Sequence, residues 1–385
     1  MEKVKILSVG IGGYAQGYLD TLLNEENPNC EIVGMVDVAP QNSAVYPRLQ
    51  ERGVKLYDSM EAFYEENTAD LAIIVTPIHF HTPQVLCALH HGSNVLCEKP
   101  LSGVSADEQI LVKAMEQTGK FVMIGYQWSY SDAILALKAD ISAGVLGKAE
   151  LLKSKVLWPR AKEYYKRGSG WGGKIHASNG AIINDSVVSN ATAHYLHNML
   201  FVTGGAHGVS NEVTELRCNL LRVNAIENFD TATVKFTMAD GTKGVYVVSH
   251  STKDSDGPIF EYRFEKGVVH YSGGDIVAKF ADGTEKNYGD PFQNYHRKVY
   301  EAIANAKNDG HIPVCGVQAT APQVRFVEKL QENPIYNVRK EYVLEQIVDE
   351  SHYLYVKGLD ELLNRCYGEE KILEELPQMK EMVEA

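Results

Sequence analysis

The first third of the chain alternates short apolar runs with longer stretches of helical period. KVKILSVG, EIVGMVD, VKLY, LAIIVTP, NVLCEKP and FVMIGYQ are the apolar runs. Between them lie segments whose apolar residues fall three and four apart. One opens near Tyr14, and SAVYPRLQERG, SMEAFYEEN, TPQVLCALHHG and SADEQILVKAMEQTG follow. A run that is apolar throughout, rather than alternating, belongs to a strand covered on both faces, and strands separated by helices pair in parallel. The pattern predicts a doubly wound α/β domain, a Rossmann-type parallel sheet of six or so strands ending near Gln127.

After Gln127 the pattern changes. A helix near AILALKADISAG leads into a loop rich in Gly, Tyr and Trp, WPRAKEYYKRGSGWGGKIHASNG, and then into a second helix, NATAHYLHNMLFVTG. Alternating segments follow: TELRCNLLRV, DTATVKFTM, KGVYVVSHS, FEYRFEKGVVHYS and DIVAKFADGTEKNY. Asp240-Gly241 and Asp282-Gly283 are hairpin dipeptides. This region predicts an α+β domain with a large, mostly antiparallel open sheet and helices on one side. A helical tail begins at about Gln293. The division expected is residues 1–127 and 128–385.

With 385 residues the chain is long enough for two domains with real cores. A hydrophobic content of 44% and a charged content of 23% are ordinary for a globular protein. The net charge of −13 argues against nucleic acid or an anionic membrane as a partner, though not against a small anion met by local charge. No signal peptide and no membrane-spanning run is seen in the sequence. None of the six cysteines forms a C-x-x-C pair, which suits reduced, mostly buried thiols and a cytoplasmic location.

The chemistry begins at VGIGGYAQG. Gly10-x-Gly12-x-x-Ala15 directly follows a strand and opens a helix, the context in which a dinucleotide fingerprint carries meaning. Gly10 permits the tight turn, Gly12 lets the backbone approach a pyrophosphate, and Ala15 lets helix and strand pack closely. Gly13 and Tyr14 complete the cofactor-binding turn, and the helix N-terminus offers N–H groups to the anion. The second strand ends at Asp37. A carboxylate there accepts from a ribose 2′-OH and repels a 2′-phosphate, and no arginine follows in VDVAPQNS, so NAD is favoured over NADP. The alternative is that Asp37 only caps the next loop.

A later strand ends in Glu98-Lys99-Pro100, at the carboxyl edge where doubly wound sheets bind ligands. A lysine there would point at the nicotinamide end of the crevice and could stabilise an alkoxide developing on a substrate. On spacing alone it could equally pair with Glu98 or reach solvent.

GIGGYA near the start, TPIHFHTPQVLCALHHGSNVLCEKPLSGVSADE from Thr76 to Glu108, and the two-domain layout resemble the Gfo/Idh/MocA family, the relatives of glucose-fructose oxidoreductase and inositol dehydrogenase. The resemblance is strong over residues 4–130, traceable to 330, and gone beyond 335. It implies a Rossmann domain, a C-terminal domain whose open sheet serves substrate binding and often oligomerisation, and an NAD(P)-dependent redox step on a sugar, inositol or related polyol. It implies that Lys99 is the catalytic lysine, that Thr76, Pro77 and His81 form a cofactor-contacting turn, and that Glu98 and Gln127 line the nicotinamide pocket.

The family's second catalytic segment reads roughly D-x-G-x-H-x-x-D at the start of a helix. The matching stretch here is NATAHYLH, Asn190 to His197. His194 falls on the family histidine, a base able to take a hydroxyl proton near neutral pH. Asn190 replaces the first aspartate, Thr192 the glycine and His197 the last aspartate, which makes His197 a candidate substrate contact, while Asp185 lies five residues before Asn190 and could occupy nearby space. Without the resemblance His194 would read as a packing histidine. His194 and His197 share a helix face, but H-x-x-H without a third ligand at telling spacing does not make a metal site, and none is expected. The loop from Trp158 to Lys174 holds Trp158, Arg160, Tyr164, Tyr165, Arg167, Trp171 and Lys174. Aromatic faces for sugar rings and cations for hydroxyls or a carboxylate suit a substrate-covering loop, and an interface loop is the competing reading.

Three functions follow from these residues. One is an NAD-dependent dehydrogenase of a sugar, inositol or polyol, with Lys99 polarising the oxygen and His194 accepting the proton. Another is redox-neutral chemistry, a glycosidase or lyase that oxidises transiently. The third is a sensor of NAD and a metabolite. The expected partners are a small sugar or polyol and, if one sheet face is uncovered, a second copy in a homodimer or homotetramer.

Overall fold

The computed structural model describes residues 2–24, 29–166, 170–294, 296–308 and 310–384. The chain divides into two compact units, Met1–Tyr130 with Asn294–Ala321, and Ser131–Gln293 with Pro322–Ala385. The return of 294–321 to the first unit differs from the division read along the sequence, which placed everything after 127 in one domain. No helix among the described residues is long and apolar enough to cross a membrane. None of the six cysteines forms a disulfide.

The first unit holds β1 (Val4–Val9), β2 (Cys30–Val36), β3 (Leu56–Tyr57), β4 (Leu71–Ile74), β5 (Asn94–Cys97) and β6 (Val122–Ile124). All pair in parallel, in the order β3-β2-β1-β4-β5-β6. This is the strand order of a dinucleotide-binding sheet, and its direction reverses between β1 and β4. β4 and β5 are buried at every position, as strands covered on both faces must be. Helices Ala15–Asn24, His81–His90 and Ala106–Thr118 fall where the periodicity placed them.

Segment 294–321 adds to this sheet what the sequence did not announce. Asn94 Nδ2 donates to Ala306 O at 2.8 Å, and Ile124 N donates to Cys315 O at 2.9 Å. The hydroxyl of Tyr130 donates to the same Cys315 carbonyl at 2.9 Å. The segment therefore lies against the β5 and β6 side of the sheet, and helix Arg297–Asn305 inserts a lysine, Lys298, into the interior.

The second unit is built on β7 (Ala149–Leu157), β8 (Val213–Arg222), β9 (Thr231–Met238), β10 (Lys243–Ser249), β11 (Asp256–Phe264), β12 (Gly267–Tyr271), β13 (Ile276–Phe280), β14 (Glu285–Gly289) and β15 (Ile335–Asn337). They form one sheet in the order β14-β13-β12-β11-β7-β10-β9-β8-β15. Only the β7–β10 and β8–β15 pairs are parallel. A separate hairpin joins β16 (Val343–Val348) to β17 (Ser351–Val356).

Four expectations need correction here. β7, central in the sheet, was not foreseen, because Lys153 and Lys155 interrupt its apolar pattern. Both are buried, and their ammonium groups reach Glu261 at 3.1 Å and Asp256 at 2.6 Å. FEYRFEKGVVHYS is two strands, β11 and β12, joined by a turn at Glu265-Lys266. The tail is not simply helical, since it contributes β15, β16 and β17 before helix Leu359–Glu369. Helices also lie on both faces of this sheet. Tyr246 of β10 donates through its hydroxyl to Thr192 O at 2.6 Å, towards helix Ala193–Val202. Its neighbours Val245 and Val247 point the other way, into a cluster with Leu359, Leu363, Cys366, Leu376 and Met382 of the chain's own tail.

Candidate functional site

In the first unit the glycine turn sits at the carboxyl end of β1. Gly10 has φ +81°, and a Cβ on it would lie 2.3 Å from Val75 O, so only glycine fits between the β1 and β4 ends. At Gly12 and Gly13 a Cβ would meet nothing within 4 Å. The turn thus presents bare backbone to open space at the start of helix Ala15–Asn24, a cradle fit for the pyrophosphate of a dinucleotide.

Asp37 lies at the end of β2. One carboxylate oxygen accepts Ile11 N–H at 2.8 Å and the other accepts Ala39 N–H at 2.8 Å. The capping role is therefore real, and it aims the carboxylate at the glycine turn. Each oxygen keeps a further lone pair, so a ribose hydroxyl can still be received. The Tyr14 hydroxyl donates to Gln127 Oε1 at 3.1 Å, which joins the turn to the end of β6.

The Glu98-Lys99-Pro100 turn follows β5, and its Lys99-Pro100 peptide is cis. Glu98 is buried and Lys99 half-buried. Glu98 Oε1 accepts Lys298 Nζ at 2.7 Å and the Tyr18 hydroxyl, while Oε2 accepts the Lys99 backbone N–H at 3.2 Å. Lys298 also donates to Gly125 O at 2.7 Å and lies over the rings of Tyr18 and Tyr14. Burial alone would raise the Glu98 pKa. The Lys298 charge, its hydrogen bond and the Tyr18 hydroxyl outweigh that and hold the carboxyl below its usual range. The inner side of the Glu98 carboxylate is thus occupied by Lys298 and Tyr18, two partners that sequence reading missed. A lysine on a helix reads as solvated, and nothing near Lys298 in the sequence says otherwise.

His81 is fully buried, with Nδ1 2.8 Å from Pro100 O and Nε2 2.8 Å from Thr76 O. Burial lowers its pKa despite those carbonyls. It ties the Thr76-Pro77 turn to the Glu98-Lys99-Pro100 turn. The Thr76 hydroxyl donates to Gln84 Oε1.

In the second unit a π-helical turn, Val187–Ala191, precedes helix Ala193–Val202, and Ser186 caps it. The structure brings Asp185 and Asn190 together. Asn190 Nδ2 donates to Asp185 Oδ1 at 2.8 Å, and Gly173 N–H donates to Asp185 Oδ2 at 2.6 Å. The buried carboxylate of Asp185 is therefore held at the Asn190 amide. His194 is half-buried on the first turn of the helix, beside Tyr195. His197 belongs elsewhere. It is 1% exposed and stacked on Phe201, and burial together with the Lys138 charge lowers its pKa to about 3. It is a neutral core residue rather than the substrate contact expected of it. The helical step from His194 to His197 carries the second ring round into the packed face.

Trp158, Arg160 and Tyr164 stack at the end of β7, with the Arg160 guanidinium carbon 5.5 Å from the Trp158 ring and 5.2 Å from the Tyr164 ring. Trp158 meets Tyr195 edge-on at 5.6 Å. Trp171 and Lys174 are half-buried, and the Lys174 carbonyl accepts Asp185 N–H at 2.8 Å. Arg167 lies outside the described residues.

A parallel sheet with this strand order and a bare-backbone glycine turn at a helix N-terminus define a dinucleotide-binding Rossmann domain. Residues 4–126 match the family model described as the oxidoreductase family, NAD-binding Rossmann fold. The matched stretch coincides with the first sheet and its helices, so the similarity to that oxidoreductase family is a property of this domain. An inositol 2-dehydrogenase of Pseudomonas fluorescens is 26% identical over 159 residues, 41% of this chain and 47% of that one. A 2,7-anhydro-N-acetylneuraminate hydratase of Mediterraneibacter gnavus is 27% identical over 148 residues, 38% of each chain. The match thus spans less than half the length of these curated relatives. The structure of the WlbA dehydrogenase from Bordetella pertussis, in complex with NADH and UDP-GlcNAcA, superposes with a TM-score of 0.69 at 20% identity, over 86% of this chain and 96% of that one. At that identity the likeness speaks for the fold.

Proposed function

We propose that the protein is an NAD-dependent dehydrogenase acting on a hydroxyl-bearing carbon of a sugar, inositol or related polyol. The observation that carries this reading is the Glu98-Lys99 turn. It stands at the carboxyl end of β5 in an NAD-binding domain, with the Glu98 carboxylate engaged from inside by Lys298 and Tyr18. When bound, NAD supplies the hydride acceptor. Lys99 places a cationic donor where alkoxide charge develops. His194 takes the hydroxyl proton, and the Asp185–Asn190 pair orients the start of its helix. The cofactor is NAD rather than NADP because Asp37 sets a carboxylate against a 2′-phosphate.

Incubation with NAD and a panel of inositols, aldoses and sugar acids, followed by NADH absorbance, tests this. A signal that disappears in Lys99→Ala while NAD affinity persists supports the roles given. Near-normal turnover in that variant overturns them.

A second reading is favoured by two observations: one relative is described as a hydratase, and Asn190 stands where the family has an acid. In that reading the chemistry is redox-neutral. Its mark is tightly retained NAD, product formed, and no NADH accumulating. A cytoplasmic location and a homo-oligomer belong to the same proposal. Because the tail covers the β7–β10 part of one sheet face, a symmetric sheet contact must use other strands. Light scattering that shows a monomer at micromolar concentration would remove the oligomer.

A further inference from the structure

At the end of β7 the backbone is fixed before any ligand arrives. Trp158 N–H donates to Ser249 O at 2.8 Å, Arg160 N–H donates to His250 O at 3.1 Å, and the Trp158 indole N–H donates to Gly257 O at 3.2 Å. The next residues are held from outside by the β16–β17 hairpin. Ala161 bridges to Tyr353, and Lys162 pairs with Glu345 at 2.7 Å, which His352 also contacts at 2.8 Å. Between these supports the Arg160 guanidinium is clamped on the faces of Trp158 and Tyr164.

Arg160 has no acceptor for its side chain among the described residues, and its Nε is enclosed without one. Other arginines have their acceptors: Arg48, Arg217, Arg263, Arg325 and Arg365 pair with a carboxylate, and Arg52, Arg222 and Arg339 donate to backbone carbonyls. In a chain of net charge −13, a guanidinium held rigid and left without a carboxylate is a site awaiting an anion. With Nε shut in, the open edge is the Nη1–Nη2 pair, a planar fork that matches a carboxylate bidentately. A phosphate dianion would call for a second cation, and the neighbouring Lys162 is already spent on Glu345. The clamp also adjoins the candidate base, since its Trp158 wall touches Tyr195, the residue after His194.

We propose that Arg160 receives the carboxylate of the substrate, so that the substrate class is an acidic sugar or polyol acid. This rests on the reading that the second unit carries the substrate, and it narrows that reading from any polyol to an anionic one. The rigid clamp lowers the entropy cost of the ion pair, because the guanidinium is oriented before binding.

The test uses hexoses matched at C6: the uronates of glucose, galactose and mannose, the parent sugars, and their 6-phosphates. Each is titrated by calorimetry into the full-length protein saturated with NAD, and NADH formation is followed in parallel. The expected result is a uronate bound at least about tenfold more tightly than its parent sugar, the strength of a charge-assisted bidentate contact. Arg160→Met should lose that preference, and Arg160→Lys should restore only part of it, because an ammonium offers a point charge and no fork. NAD affinity and melting temperature in both variants show that the fold survives. Tighter binding of a 6-phosphate, no uronate bound at millimolar concentration, or an equal loss for uronate and parent sugar in Arg160→Met each overturns the proposal. Arg160-dependent uronate binding with no NADH formed leaves it standing while the dehydrogenase reading fails. Turnover of neutral sugars in preference to uronates does the reverse.

Discussion

Replacing Lys298 by methionine leaves the Glu98 carboxylate buried without the ammonium that offsets it. Lys298 is 0% exposed and Glu98 7%, so water cannot take its place. Removing one partner of such a pair costs roughly 3–5 kcal/mol. Two donors stay on Glu98, the Tyr18 hydroxyl and the Lys99 backbone N–H, which points to the lower end. Gly125 O also loses its donor, adding about 1 kcal/mol. The expected destabilisation is therefore about 4 kcal/mol at neutral pH. It is read by urea unfolding on the transition that NAD shifts, because ligand stabilises the unit that binds it.

The pH dependence carries the sign. In the native protein the Glu98 pKa is lowered, so its contribution is present above the unfolded carboxylate value of about 4.3 and is lost as pH falls through the folded value. In Lys298→Met, burial has less to oppose it and raises the pKa, so the variant gains stability as pH falls towards the unfolded value. The gap between the two proteins should close on acidification from pH 7 to about 4. Glu98→Gln with Lys298→Met should recover most of the loss, since a neutral pair removes both charges. A single-variant loss below about 1 kcal/mol, a gap that does not change with pH, or a double variant as unstable as the sum of the singles would refute the reasoning.

Other substitutions test other parts of the two units. Gly10→Ala places a Cβ 2.3 Å from Val75 O at φ +81°, and should lower NAD affinity more than about tenfold in fluorescence titration, whereas unchanged affinity removes the argument for the turn. Asp37→Ser should raise affinity for NADP relative to NAD, and an unchanged ratio in the same titration would leave Asp37 with its capping role alone. Asp185→Ala removes the acceptor of Gly173 N–H and of Asn190 Nδ2, with an expected loss of roughly 2–4 kcal/mol in denaturant unfolding, and a loss under about 1 kcal/mol counts against the pairing. The His197 pKa of about 3 lies below its unfolded value of about 6.5, so the native protein resists a proton that the unfolded chain accepts, and stability falls with pH below about 6.5 by up to 1.4 kcal/mol per unit. His197→Phe should flatten that slope between pH 6 and 4, and a slope equal to wild type would move His197 out of the core.

The first sheet was legible because its strands obey one rule throughout. β4 and β5 are apolar at most positions and buried at every one, and a helix follows each, so periodicity alone ordered them. β7 broke the rule. Lys153 and Lys155 face the tail side, and their charges are met by Glu261 and Asp256, more than a hundred residues further on. The His194–His197 pair failed in the opposite way. Helical spacing grouped two imidazoles as one face, but packing turned one of them against Phe201. The Asp185–Asn190 contact was nearer to being readable, because five residues separate them and the π-helical turn brings them side by side.

These misreadings share a cause. Lys138, Lys153, Lys155 and Lys298 are all buried, and each is satisfied by a partner between 63 and 214 residues away in the sequence. A sequence window reports whether a residue prefers water, not whether a distant segment has arrived to replace it. Three of these lysines serve the framework of the second unit. Lys298 meets the turn that carries Lys99, and its segment enters the first unit only after the chain has passed through eight of the nine strands of the second unit's long sheet. The electrostatics of the Lys99 turn are therefore complete only when residues 294–321 have returned. A Rossmann fragment ending near Gln127 would retain the glycine turn and Asp37 while leaving Glu98 without Lys298.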